Sequence, residues 1–216
     1  MFITFEGIEG CGKTTQISLL AESLSRLGVA CIATREPGGT AIGEAIRAIF
    51  LHCSNDDMLP VTELLLVTAA RAQHIAQVIK PRLSSGAIVL CDRYIDATVA
   101  YQGYAAGLGR ETVMRSHDLF AGSLMPELTL LLDCPVELGL ARSRKRNRAT
   151  GKHLDEGRFE DRDYAFHEQV RNGYLEQARH EPARIELIRA EGTPDDIHQR
   201  IVSAVLPRLR GAGHAV

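Results

Sequence analysis

Residues Gly7-Ile8-Glu9-Gly10-Cys11-Gly12-Lys13-Thr14 match the pattern GxxxxGK[ST], and nothing else in the chain restricts its fold as much. The pattern works only as a loop between a strand and a helix. Gly7, Gly10 and Gly12 let the backbone curl until successive N–H groups point at one phosphate. The apolar run Phe2–Phe5 stands before it. After it, Ile17, Leu20, Leu24 and Leu27 recur at helical spacing, and Gly28 stands where a C-terminal cap belongs. A helix starting near Lys13 adds the positive end of its dipole. The stretch through Thr15 therefore reads as a nucleoside triphosphate cradle, with Lys13 reaching the β- and γ-phosphates and the Thr14 hydroxyl a ligand for Mg²⁺. The motif alone leaves ATP and GTP open, as well as the use made of the nucleotide.

Beyond the loop, short apolar runs alternate with helical patterns. Strands are expected at Phe2–Phe5, Val29–Ala33, Ala87–Cys91, Leu128–Leu132 and Ile185–Ile188. Strands separated by helices imply parallel pairing, hence an α/β fold: a doubly wound, five-stranded parallel sheet flanked by helices, of the P-loop NTP hydrolase kind. The last helix opens at Thr193-Pro194-Asp195-Asp196, a capping hydroxyl followed by proline at the first helical position and a carboxylate near the positive dipole end. Ile197, Ile201, Val205 and Leu209 give it one buried stripe. No linker or repeat divides the chain, so residues 1–216 are expected to form one domain.

Function classes are narrowed by charge and by what the ends of the chain show. The formal net charge is -2, so no global basic field draws the protein to nucleic acid or to an anionic membrane. No apolar run approaches the roughly 20 residues needed to span a bilayer. No export signal is visible at the N-terminus, and the five scattered cysteines read as reduced thiols, so a cytoplasmic location is expected. One basic run stands out, from Arg142 to Arg158, with Arg142, Arg144, Lys145, Arg146, Arg148 and Lys152, just after a helix begun at Pro135. By itself a charge run is a solvated face. Two apolar strands end in aspartate and offer a carboxylate for the metal, Asp92 and Asp133. Asp92 is preferred because Arg93 follows it and can grip a second phosphate.

Together these pieces resemble the bacterial thymidylate kinase family. The matching stretches are Phe5-Glu6-Gly7-Ile8-Glu9-Gly10, Thr34-Arg35-Glu36-Pro37-Gly38-Gly39-Thr40, Ala69-Ala70-Arg71-Ala72-Gln73-His74, Asp92-Arg93-Tyr94 and Ala100-Tyr101-Gln102-Gly103. They follow in family order over nearly the whole chain. The resemblance implies phosphorylation of dTMP to dTDP by Mg·ATP in dTTP biosynthesis, de novo and salvage, by a cytoplasmic homodimer. Glu9 looks like the family carboxylate that bonds the sugar 3′-hydroxyl, for an acid beside a triphosphate needs a donor to face. Arg93 and Arg47 look like clamps on the dTMP phosphate, although Arg47 equally suits the solvated face of a helix. Arg71 and Gln102 look like the thymine readers, with Arg35 beside the same cleft, and Tyr101 looks like the ring that fills the space under C2′. Val67 stands where the family often has a base-stacking Phe, and Gly157-Arg158 where it commonly has Asp-Arg. Cys11 replaces an arginine found in one branch of the family, so the basic run, at about 142–160, looks like a lid that supplies the missing charge through Arg142, Arg146 and Arg148. The rivals are a kinase for another nucleoside monophosphate, a P-loop switch and a nucleic-acid motor. A GTP switch carries an NKxD motif, which this sequence lacks, and a motor needs a broader basic surface.

Overall fold

Strand β1 (Phe2–Glu6) is buried along its whole length. A strand in the middle of a parallel sheet meets helices on both faces, so it carries an apolar run in place of an alternation. Successive side chains still take opposite faces: Ile3 and Phe5 belong to one core cluster and Phe2 to the other. The computed structural model describes residues 1–151 and 153–213. Along them β1 is followed by α1 (Lys13–Arg26), β2 (Cys31–Arg35), α2 (Ala41–Leu51), α3 (Pro60–His74), α4 (Lys80–Ser84), β3 (Ile88–Asp92), α5 (Ile95–Thr98) and α6 (Arg110–Ala121). Then come β4 (Leu128–Asp133), α7 (Val136–Thr150), α8 (His153–Glu156), α9 (Tyr164–His180), β5 (Ile185–Arg189) and α10 (Pro194–Gly211). A π-helical stretch Ile75–Ile79 joins α3 to α4, and another, Val99–Ala105, continues α5.

The strands lie in the order β2-β3-β1-β4-β5, every pair parallel, which is the doubly wound sheet that the alternation predicts. The registers pair Phe5 with Asp92, Arg35 with Asp92, Glu6 with Leu131 and Asp133 with Arg189. Polar side chains that end the strands are thereby brought level along one edge, where ligands bind in such sheets.

Three local expectations shift. β2 begins at Cys31 and not at Val29, because Val29 belongs to the cap of α1. Its N–H donates to Leu24 O at 3.0 Å while Gly28 N–H donates to Ser25 O at 3.0 Å, the paired bonds of a Schellman motif around Gly28 at φ 73. Leu27 lies past the helix end and is 49% exposed, so the buried stripe of α1 is Ile17, Leu20 and Leu24. The basic run does not follow a helix; Arg142 to Arg148 lie inside α7, which runs on to Thr150. Arg and Lys are good helix formers, and the stop comes only at Gly151, at φ 67. Lys152 of the run lies outside the described residues. At the other end of the chain the expected capping box is present. Thr193 Oγ1 accepts from Asp196 N–H at 3.2 Å, Asp196 Oδ2 accepts from Thr193 N–H at 2.9 Å, and Ile197, Ile201, Val205 and Leu209 are buried.

α7 meets the glycine loop at backbone distance. A Cβ on Gly10, at φ 69, would lie 2.0 Å from Gly139 O, whereas one on Gly12, at φ 102, meets nothing within 4 Å. Gly10→Ala should therefore cost ~2–4 kcal/mol, backbone strain plus overpacking, and Gly12→Ala only the ~1–2 kcal/mol of the left-handed backbone. Urea unfolding of the two variants checks this; equal losses would mean that the α7 contact is not felt.

Candidate active site

The carboxyl edge of the sheet opens into a cleft of about 1300 Å³. Its walls come from Glu9–Ser18, from Arg35–Pro37 after β2, from Val67 and Arg71 of α3, from Asp92–Tyr94 after β3, from Tyr101 and Gln102, and from Arg142 and Arg146 of α7.

At one end lies the glycine loop. Gly7 is at φ 130, and a Cβ there would stand 2.5 Å from Leu132 O, so the position needs glycine for both backbone and space. The side chain of Ile8 is buried in the core, which leaves its backbone to the loop. α1 starts at Lys13 with no side-chain cap and no acid in its first turn, so its positive end stays free for an anion. Lys13 Nζ donates to Gly7 O at 3.0 Å and Ile8 O at 2.9 Å, folded back on its own loop. Thr15 and Cys11 also line the cleft. Thr14 Oγ1 donates to Asp92 Oδ2 at 2.9 Å, a pair of hard oxygens that suits a small divalent cation. Asp133 is engaged elsewhere, taking both Nε and Nη2 of Arg171 at 2.7 and 3.0 Å.

Arg93 adopts φ 68, outside the usual range for a residue with a Cβ. Its N–H donates to Phe5 O at 3.0 Å, which carries the β1–β3 pairing one residue past the strand. Its Nη1 donates to Tyr174 OH at 3.0 Å and its Nη2 to Tyr101 OH at 3.1 Å. Each hydroxyl donates in turn to an acid, Tyr174 to Glu6 Oε2 at 2.8 Å and Tyr101 to Glu9 Oε1 at 2.5 Å. Arg93 Nη2 also reaches Glu9 Oε1 directly at 3.2 Å. The other oxygen of Glu9, Oε2, is buried without a hydrogen-bond partner among the described residues, and His167 Nδ1 stands 3.5 Å away. Burial pushes the Glu9 carboxyl up, but His167, Arg93 and Tyr101 outweigh it and hold the group well below the ordinary carboxylate range. Glu6 goes the other way. Fully buried, it accepts from Tyr94 N–H at 2.7 Å, and burial first, then Asp96, push its carboxyl up to about 8 against Arg93, Tyr174 and Tyr94.

The opposite wall is built on α3. Arg71 is buried: its Nε donates to Glu36 Oε2 at 2.8 Å, its Nη2 to Thr98 Oγ1 at 2.8 Å, and its guanidinium lies 4.9 Å from the centre of the Tyr94 ring. Its Nη1 has no partner among the described residues. Glu36 is steadied in turn by His74 Nδ1 at 2.9 Å. Val67 is buried in the same wall, and Gln102 Nε2 donates to Glu63 Oε2 at 2.7 Å. Arg35 pairs with Glu44 at 2.8 Å at the rim. Arg47 is not a solvated side chain; it donates to Pro37 O at 3.2 Å and Glu156 Oε2 at 3.1 Å, bridging α2 to α8.

Among the lid arginines, Arg142 and Arg146 lie one turn apart and line the cleft. Arg146 Nη2 reaches Ser143 Oγ at 2.8 Å and Glu160 Oε1 at 3.3 Å. Arg148 is exposed and outside the cleft lining, as are Arg144 and Lys145. Sequence reasoning gave no part to Glu6, Glu36, Glu63, Tyr174 or His167. Glu6 did carry a signal, an acid closing a buried strand. The others carried none that separates them from an ordinary polar helix face.

Known proteins resemble this chain along most of its length. The thymidylate kinase family model matches residues 5–201. The thymidylate kinase of Syntrophotalea carbinolica is 56% identical over 93% of this chain and 92% of its own length. That of Geobacter sulfurreducens is 53% identical over 96% of this chain and 97% of its own. The crystal structure of thymidylate kinase from Ehrlichia chaffeensis superposes with a TM-score of 0.76 at 32% identity, covering 95% of this chain and 98% of that one.

The Glu6 carboxyl gives a signed pH dependence. Raised from 4.5 to about 8, it keeps a proton in the folded chain that the unfolded chain has released over that window. Stability from this group is whole below about pH 4.5 and is lost as pH rises through 8, a fall on the order of 5 kcal/mol. Denaturant unfolding from pH 5 to 9 should show the slope in the native chain and its loss in Glu6→Gln; the same slope in both would mean that Glu6 is already ionised when folded.

Proposed function

The chain belongs to the thymidylate kinase family, and from that premise we propose that it transfers the γ-phosphoryl of ATP to dTMP, giving ADP and dTDP on the route to dTTP. One observation carries the reading: the phosphate cradle and Arg71, whose buried Nη1 has no partner among the described residues, line a single cleft. A kinase for a nucleotide acceptor needs that combination, with triphosphate at one end and a base reader at the other.

In this reading the backbone of Gly7 to Thr15 wraps the ATP phosphates, and Lys13 leaves the carbonyls of Gly7 and Ile8 for the β- and γ-oxygens. Thr14 and Asp92 hold Mg²⁺ through hard oxygen donors. The bound ion supplies charge neutralisation on the phosphates. Arg93 grips the acceptor phosphate while its two tyrosine contacts keep the guanidinium still, and Arg47 and Arg35 stand at the same mouth. Glu9 Oε2, which faces His167 Nδ1 at 3.5 Å, accepts the sugar 3′-hydroxyl, and the Tyr101 ring closes the space at C2′. Val67 packs on the thymine, Arg71 donates to it and Gln102 accepts from it. Arg142 and Arg146 close over the transferring phosphoryl, where spreading negative charge rewards fixed positive charge. Arg148, outside the cleft, takes no part.

The family resemblance also supports a homodimer and a cytoplasmic location. α3 and α6 pack together and leave Leu65, Leu119 and Phe120 exposed, an apolar face for a second copy to cover. No described helix is long and apolar enough to cross a membrane.

ADP release measured with dTMP, dUMP, UMP, dCMP, AMP and GMP tests the function. dTMP should be turned over best and dUMP less well by about 1–3 kcal/mol, the worth of one methyl. UMP should be worse still, because its 2′-hydroxyl clashes or is buried unpaired. A preference for a purine or cytidine monophosphate defeats the reading. Lys13→Ala should lower kcat by at least about 10²-fold with the fold intact by circular dichroism, and near-native turnover would remove the loop from the chemistry.

A further inference from the structure

Glu63 lies in the first turn of α3 and is buried. A buried carboxylate is costly unless its oxygens are engaged, and both of these are. Arg158 Nη2 donates to Oε1, and Gln102 Nε2 donates to Oε2 at 2.7 Å. Arg158 comes from the end of the lid segment and its side chain is 0% exposed. Its Nη1 donates to Phe50 O at 3.2 Å, and its guanidinium lies 5.0 Å from the centre of the Phe159 ring. An arginine in a protein keeps its proton. Facing it and the Gln102 amide, Glu63 accepts at both oxygens.

That one-sidedness decides which way Gln102 points. A glutamine amide has a donor end and an acceptor end of nearly equal size, and it turns over easily unless a neighbour tells them apart. A carboxylate does so: it takes the NH₂ and rejects the carbonyl. With Nε2 on Glu63, Oε1 is left for the cleft that Gln102 lines. On the same wall Arg71 is pinned by Glu36 and Thr98 and brings Nη1 with no partner of its own. The two side chains therefore offer a base one donor and one acceptor. This matches a carbonyl beside a ring N–H, the imide edge of thymine and uracil. The amino group and bare ring nitrogen of cytosine present the reverse pattern.

We propose that Glu63 is a positioning residue for base selection: it locks Gln102 Oε1 toward the base, so that the cleft takes an imide pyrimidine and rejects an aminopyrimidine, with Arg158 keeping the carboxylate in place. The inference rests on reading the cleft as a dTMP site. Neither Glu63 nor Arg158 touches the base in this arrangement; both act through Gln102.

The test compares dTMP with 5-methyl-dCMP, which share sugar, phosphate and methyl group and differ only at C4 and at the N3 proton. The readout is the ratio of their kcat/KM values. Both are taken on one preparation, so the ratio does not depend on how much of the protein is folded. In the native chain the ratio should be large, because a reversed donor–acceptor pair leaves buried groups unpaired. Glu63→Gln gives its amide oxygen to Arg158 and turns its NH₂ toward Gln102, which then presents its carbonyl to residue 63 and its own NH₂ to the base, and the ratio should fall by about tenfold or more. A purely structural Glu63 would lower both efficiencies and leave the ratio within about threefold of native, which would overturn the proposal. The exchange Glu63→Gln with Gln102→Glu keeps charge and volume and again leaves only an acceptor facing the base, so the ratio should return. If Glu63→Gln alone does not fold, the exchange decides: a native-like ratio supports the proposal and a collapsed one overturns it. A native chain that ignores dTMP fails the functional reading before any variant is made, so the two failures are told apart.

Discussion

Arg93 leaves β3 in left-handed backbone, and its guanidinium lies against Glu9, Tyr101 and Tyr174. The reason for this strained arrangement is charge. Glu6 and Glu9 come off the end of β1, and Asp92 off the end of β3, at the place where a glycine loop and a helix N-terminus are set to take an anion. Acids gathered there oppose the ligand unless each is answered. Arg93 serves two of them through the tyrosine hydroxyls, and the Thr14 hydroxyl meets the third. Fixed, low-mobility contacts of this kind let a guanidinium serve a phosphate without reorganising when charge moves.

The two glutamates answer to the same arginine and end in opposite states. Glu6 has no exposure and lies near Asp96, so burial wins and the carboxyl holds its proton to about pH 8. Glu9 has Arg93, Tyr101 and His167 on one side chain, and there attraction wins over burial. The outcome is one ionised acid in the cleft and one neutral acid beneath it. This limits the negative charge near the loop.

The lid is tied to the rest of the site at both ends. Near its start Gly139 of α7 lies against Gly10 of the phosphate loop, with no room between them for a methyl group. Near its end Arg158 is buried against Glu63, which holds Gln102. A segment that lines the cleft with two arginines is thus in contact with the glycine loop and with the wall built on α3. Within it, helical geometry alone sorts the basic residues. Arg142 and Arg146 share the inner face, and Arg148 does not.

By itself the sequence determined whatever depends on neighbours along the chain. The alternation of apolar runs and helical patterns set the sheet and its five strands, the glycine spacing set the cradle, and Gly28 and Thr193 marked helix ends found where their chemistry requires them. Where sequence and structure part, the cause is local too: Val29 closes the cap of α1 and does not start β2, because Gly28 turns left-handed. Tertiary structure decided which buried polar groups meet. Glu6 and Tyr174 bond across 168 residues, and Glu63 and Arg158 across 95. Propensity and periodicity say which face of an element is apolar. They are silent on the partner of a polar group on that face, because the partner is chosen by how distant elements pack, and burial makes the pairing obligatory once packing has chosen it.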